Sequence, residues 1–209
     1  MSSHSKAIII VILSGLIWSF GPLVVKNMID PQIYQLPYLV IRGLTVAIII
    51  SCYLLINEGI SFLEKILKID KTTMIGSLSL TTAFLGFIYS ISFTTAAVTL
   101  FMLALMPFLA SIIAFIFLTE KISLQNFISM VVALIGTVIM IYASSFSGSI
   151  FGLIMGFISS LGFAAFSVTL RSKSDFKKFY ILVYGGIFCA LISSTIMFIQ
   201  DQSFFIPSK

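Results

Sequence analysis

Residues 72–119 carry no charged side chain: TTMIGSLSLTTAFLGFIYSISFTTAAVTLFMLALMPFLASIIAFIFLT. As one α-helix this stretch would be about 70 Å long, more than twice the roughly 30 Å hydrocarbon core of a bilayer. It must fold back on itself, and small polar residues place the turn near residues 92–95, just after Tyr89 and around Phe93. A hairpin with almost no loop puts that turn at a bilayer surface. Composition extends the argument to the whole chain: of 209 residues, 59% are hydrophobic and 9% charged. Soluble domains carry roughly 25% charged residues. With a mean hydropathy of +1.18, this chain cannot keep a surface wet, and lipid is its solvent. The expected fold is an all-α integral membrane bundle.

Seven transmembrane helices follow from the apolar runs, at about residues 7–28, 37–57, 73–92, 95–118, 124–143, 149–169 and 179–199. Each is near the roughly 20 residues that a span requires. The first run is longer than the roughly 7–15 apolar residues of a cleaved leader and no small-residue cleavage site follows it, so it reads as a span. The one long connection, residues 58–71, alternates Ile60, Phe62, Leu63, Ile66 and Leu67 with Glu64, Lys65 and Lys68. It reads as an amphipathic turn lying on the inner membrane surface, with a partner-binding helix as the alternative.

The net charge of +5 is no nucleic-acid signature, because the basic residues sit in short connections without interleaved aromatics. With the N-terminus inside, nine of the 12 basic residues are cytoplasmic, and only Lys26, Arg42 and Lys209 lie outside. The excess of basic residues in inner loops sets the N-terminus in the cytoplasm; the membrane expected is the inner (plasma) membrane. Cys52 and Cys189 both fall inside apolar runs and read as small buried hydrophobes.

The chain also resembles itself. Residues 14–26, SGLIWSFGPLVVK, align with residues 159–171, SSLGFAAFSVTLR, setting Trp18 on Phe163, Leu16 on Leu161 and Lys26 on Arg171. Residues 38–51 align with residues 180–193, setting Gly43 on Gly185 and Arg42 on Tyr184. An odd number of spans, five, separates the copies, so the second is inverted. Inverted repeats mark secondary transporters, whose substrate site lies at the repeat interface.

Four stretches resemble the EamA-type drug/metabolite transporters: GLIWSFGPLVVK in the first span, the Arg-Gly of VIRGLTVAIII, SFTTAAVTLFMLALMPFLASIIAFIFLTEKIS, and NFISMVVALIGTVIMIYAS with Gly136. The resemblance implies a fold of ten helices in two inverted five-helix repeats, moving small metabolites by alternating access. On that pattern residues 1–146 are a first repeat of five spans. Residues 147–209 are an incomplete second repeat of two, with roughly 80 residues of it missing by the internal offset. The expected activity is that of a partial secondary-type transporter. The alternative is a non-transporting membrane subunit that needs a partner to complete the bundle.

Candidate substrate-binding residues follow from helical spacing. Gly15, Trp18, Pro22 and Lys26 share one face of the first span, and Ser160, Phe163, Ser167 and Arg171 share the corresponding face of the sixth. They read as a cavity wall with an aromatic to stack on substrate, or as packing with an interfacial tryptophan. Pro22 frees the carbonyl of Trp18, and Pro107 frees that of Leu103, as a kink or a hinge. Ser79, Thr82, Gly86 and Tyr89 line one face of the third span, for substrate or for inter-helix hydrogen bonds. Gly148, Gly152, Gly156 and Ser160 form a small-residue ladder that reads as close helix packing, and a homodimer seam on it remains open. Lys26 and Arg42, at the ends of spans one and two, either attract an anionic substrate group or snorkel to headgroups. Ser123 is a candidate helix cap beside Glu120 and Lys121. No nucleophile–base pair, phosphate loop or metal-ligand spacing appears, so no enzyme, metal or other cofactor is expected. Residues 179–200 hold no lysine for a retinal Schiff base.

Overall fold

The computed structural model describes residues 3–28, 30–120, 124–143, 149–171 and 175–202. Every described element is an α-helix: α1 (Ser3–Lys26), α2 (Pro31–Glu58), α3 (Ser61–Ile66), α4 (Lys71–Phe93), α5 (Ala96–Leu103), α6 (Met106–Leu118), α7 (Leu124–Ala143), α8 (Ile150–Arg171) and α9 (Asp175–Ile199). Among the described residues, six segments are long and apolar enough to cross a membrane, with α5 and α6 acting as one. The 20-residue α7 occupies the place expected for the fifth span. The chain is an all-α membrane protein of six to seven spans. Ser123, Lys121 and Gly148 lie outside the described residues.

The hairpin forms where the polar residues put it. Thr95 caps α5, its hydroxyl accepting from the Val98 N–H at 3.2 Å. The Thr99 hydroxyl, at 3.0 Å from that of Ser90 and 3.1 Å from that of Thr94, ties the two arms together. Two boundaries differ from the sequence reading. The second span begins at Pro31 rather than near residue 37, because Pro31 sits in the first turn, where a missing N–H costs nothing. The fourth span is interrupted at Ala104–Leu105: Pro107 removes the donor that would close on Leu103, and the Leu105 N–H closes a tighter turn on the Met102 carbonyl at 3.1 Å. Cys189 is buried as expected. Cys52 is exposed on the outer surface of α2, which corrects its reading as a buried residue.

The core is built around α4, and small residues let its neighbours approach. A Cβ on Gly86 would lie 2.7 Å from the Met155 carbonyl oxygen, and one on Gly162 2.7 Å from the Ala83 nitrogen, so α4 and α8 meet nearly backbone to backbone. The Ser159 hydroxyl donates to the Ala83 carbonyl across this seam at 2.8 Å. Toward α9, Ser77 donates to Ile181 O at 3.1 Å and Thr81 to Gly185 O at 3.0 Å. Lipid tails are as apolar as these side chains, so close packing and inter-helix hydrogen bonds hold the helices together. The ladder residues Gly152, Gly156 and Ser160 belong to this packing: Gly156 faces the Ser90 hydroxyl and Met102, and Ser160 is fully buried.

Helices α2 and α9 run antiparallel, with Leu36 and Val40 near Met197 at one end and Leu54 near Tyr180 and Val183 at the other. Their crossing is reciprocal. A Cβ on Gly43 would sit 2.5 Å from Gly186 O and 2.9 Å from Ala190 N. A Cβ on Gly186 would sit 2.5 Å from Gly43 O and 2.9 Å from Ala47 N. The residue that Gly43 meets in space is thus Gly186. Helix α1 is attached lightly: among the buried hydrophobics its sole contributor is Val25, and nothing lies within 4 Å of a Cβ placed on Gly15 or Gly21.

Candidate functional site

The late start expected for α2 had put Arg42 at the outer end of its span; in the structure it lies well inside the helix. With α2 running Pro31–Glu58, Arg42 lies about 17 Å from one end and 24 Å from the other. The snorkelling reading would send its side chain toward a headgroup. Its guanidinium stacks instead on the Phe84 ring, 4.2 Å from the centroid. Among the described residues, the ion pairs join Lys65 to Glu58 and Arg171 to Glu120, and no carboxylate pairs with Arg42. A cation at the centre of a span costs about 3 kcal/mol on the insertion scale. One cation–π contact returns about 1–2 kcal/mol. The Arg42 charge is therefore left under-compensated.

Around it, α1, α2, α4 and α8 assemble a chain of rings. Phe84 meets Phe163 edge-on at 6.2 Å, Phe163 meets Trp18 edge-on at 6.1 Å, and Trp18 stacks on Phe87 at 5.9 Å with an interplanar angle of 24°. Trp18 is 46% exposed, toward a cavity of about 380 Å³ that Gly21, Tyr38, Arg42 and Phe87 also line. The volume falls within the range of small-molecule sites. Tyr38 and Arg42, one turn apart, share a face of α2.

The structure sorts the sequence candidates into three places. Trp18, Arg42 and Phe163 belong to this one cluster. Thr82 and Tyr89 line a second cavity of about 450 Å³ between α4, α8 and α9, with Phe151, Met155 and Ile196. Thr82 spends its hydroxyl on its own helix, donating to Leu78 O at 2.9 Å. Pro22, Lys26, Ser79 and Ser167 line neither cavity. Pro22 is buried, Ser79 and Ser167 are half-buried, and the Lys26 ammonium donates to the Thr94 carbonyl at the α4–α5 hairpin. Lys26 thus ties the end of α1 to the end of α4, where a free carbonyl and the negative helix terminus favour a cation.

At the opposite end of the bundle, Glu58 holds a second tie. Its carboxylate accepts from the Lys65 ammonium at 2.6 Å and from the Tyr180 hydroxyl at 2.8 Å, and the Glu58 side chain is 9% exposed. Phe62 of α3 packs beneath it on Tyr180, with ring centroids 5.9 Å apart. The short amphipathic helix is thereby latched across α2 and α9, over a cavity of about 300 Å³ that Lys68, Asp70, Thr73 and Tyr184 help to line.

Tyr38, Phe84 and Phe87 were missed in the sequence. Their signal was present, since Tyr38 stands four residues before Arg42, but 21 phenylalanines make any one of them anonymous. Among the described residues no group of His, Cys, Asp or Glu is placed to hold a metal ion.

A bundle of apolar helices with an open cavity walled by one charged and several aromatic residues has the build of a polytopic transport protein. The profile of the EamA-like transporter family matches residues 5–142, and the chain belongs to that family. Its members are small-molecule transporters of the drug/metabolite superfamily rather than enzymes. Among curated proteins and among solved structures, none matches the chain significantly.

Proposed function

We propose that the chain moves a small metabolite through the membrane by alternating access, binding it in the cavity walled by Trp18, Tyr38, Arg42 and Phe87. The observation that carries this reading is the placement of the tryptophan and of an arginine with no carboxylate partner among the described residues on one cavity, near the middle of α2. Substrate sites of inverted-repeat transporters lie near the bilayer midplane. The reciprocal crossing of α2 and α9 supports such a repeat, with residues 1–146 as one unit and residues 147–209 as part of its inverted copy. The ties at the two ends supply gates: Lys26 to the α4–α5 hairpin on one side, and Glu58 to Lys65 and Tyr180 on the other. Opening one while the other holds exposes the cavity to one side at a time. The basic residues place the Glu58 end in the cytoplasm of a cell with the chain in its plasma membrane.

The bare side of α1 favours a second component of this reading. Gly15 and Gly21 face open space, whereas the glycines of α8 and α9 are packed against neighbours. Further helices, from a longer chain, a second copy or another subunit, would complete the bundle there. The test is counterflow in proteoliposomes against a panel of small metabolites, with the chain alone and in membranes of its native host. Saturable counterflow that Trp18→Cys makes sensitive to a water-soluble thiol reagent, in a background with Cys52 and Cys189 replaced by Ser, supports the proposal. Transport that ignores modification of Trp18→Cys removes the site. Activity confined to native membranes favours the subunit reading.

A further inference from the structure

We infer that the cavity recognises an organic anion, a single carboxylate on a small apolar body, through Arg42. The inference rests on the reading of this cavity as the substrate site and adds the chemical class of the occupant. Three features carry it. Arg42 sits about 4 Å from the midpoint of the 28-residue α2, about three turns from the nearer helix end. Among the described residues it faces a ring and a phenol rather than a carboxylate: Phe84 at 4.2 Å on one side, and Tyr38 one turn earlier on its own helix. The rest of the described wall is Trp18, Phe87, Ile17, Gly21 and Ser14, whose hydroxyl is spent on the Ile10 carbonyl, so it takes an apolar body and offers no second charge.

The physical logic is charge compensation. A guanidinium is a planar fork of donors that matches a carboxylate with two parallel hydrogen bonds, and in a low-dielectric site such a pair gains far more than in water. A neutral ligand of the same shape leaves the arginine as it is. A cationic one adds like-charge repulsion at a depth where nothing screens it. The backbone contact at Gly43, next in sequence to Arg42, pins this stretch of α2 against α9, so the charge is held in place rather than free to move toward a headgroup. Phe84 fixes one face of the guanidinium and leaves its edge for a ligand.

Trp18 is the only tryptophan in the chain, so intrinsic fluorescence reports on this cavity alone. The full chain in phosphatidylcholine nanodiscs at pH 7.4 is titrated with hexanoate, hexanol and hexylamine, three probes of one shape and three charges. The expected result is a saturable change in Trp18 emission with hexanoate at least tenfold tighter than with hexanol, and none with hexylamine beyond partitioning into lipid. Arg42→Gln abolishes the hexanoate response and Arg42→Lys weakens it by about tenfold, because an ammonium cannot bind in the two-pronged way. Equal saturable binding of all three probes overturns the anion assignment while leaving the cavity as a site. No saturable response to any probe overturns the site itself. The wild-type comparison of three probes decides the matter even if Arg42→Gln does not fold.

Discussion

Residues 14–26 of α1 are set against residues 159–171 of α8 in the sequence reading, and the two stretches live in different surroundings. Gly162 of α8 is pressed so closely on α4 that a methyl group would meet the Ala83 backbone. On α1, Gly15 and Gly21 meet nothing within 4 Å. Ser160 is fully buried, while its counterpart Gly15 is exposed. The two helices touch where Trp18 meets its own counterpart Phe163. The comparison teaches that similar sequences fill different roles according to which neighbour covers them. Helix α8 is structural because α4 lies along it. Helix α1 is free on one side and shows its aromatic residue to a cavity.

The largest effect expected from this contrast is at the glycines. Gly162→Leu and Gly86→Leu force backbone apart at the α4–α8 seam and abolish the monodisperse peak in size-exclusion chromatography. Gly15→Leu leaves its height within about twofold, as expected for a substitution in open space. Equal damage at all three positions would break the distinction between a packed helix and a bare one.

Next come the paired aromatics. Trp18→Ala lowers counterflow at least tenfold with a change in melting temperature of less than about 3 °C, since the ring faces a cavity. Phe163→Ala, half-buried between Trp18 and Phe84, lowers both transport and melting temperature, because it removes packing as well as the ring that holds Trp18 in place. A melting temperature lowered equally by the two would place Trp18 in the core rather than on the cavity.

The paired cations give a smaller contrast. Lys26→Met removes the tie to Thr94 O and loosens one gate, raising exchange at the α4–α5 hairpin by about tenfold in hydrogen-exchange mass spectrometry. Arg171→Met breaks an ion pair with Glu120 in which both partners are about half exposed. Exposed pairs contribute about 0–1 kcal/mol, so melting shifts little and the difference vanishes in high salt. The smallest effect, and one of opposite sign, is Gly15→Ala, which raises thermal stability slightly, because an open helical glycine costs about 0.5–1 kcal/mol relative to alanine. Gly162→Ala at the packed seam lowers it.

Reading the chain showed which residues were unusual and left open what they met. Trp18, Arg42 and Phe163 stood out by type and spacing. That they form one cluster depends on α2 beginning six residues earlier than its second proline suggested, and on Phe84, indistinguishable among its kind in sequence. The Lys65–Glu58–Tyr180 tie was equally hidden: its members lie on three helices, and Tyr180 is 122 residues from Glu58. Thr82 and Tyr89 were grouped correctly by their spacing on α4, but the cavity they line is closed by α8 and α9, which no local pattern announces.

The sequence by itself determined that the chain lives in lipid, that it is all-helical, where the polar hairpin turns and to which family it belongs. These follow from local hydropathy and from helical length against bilayer thickness, so a window of some 20 residues suffices to read them. Only the tertiary structure decided the stacking of Arg42 on Phe84, the backbone contact of Gly43 with Gly186 and the bareness of α1. Those depend on which helix lies against which, and between apolar surfaces in lipid that choice is made by shape and a few hydrogen bonds between residues far apart in the chain.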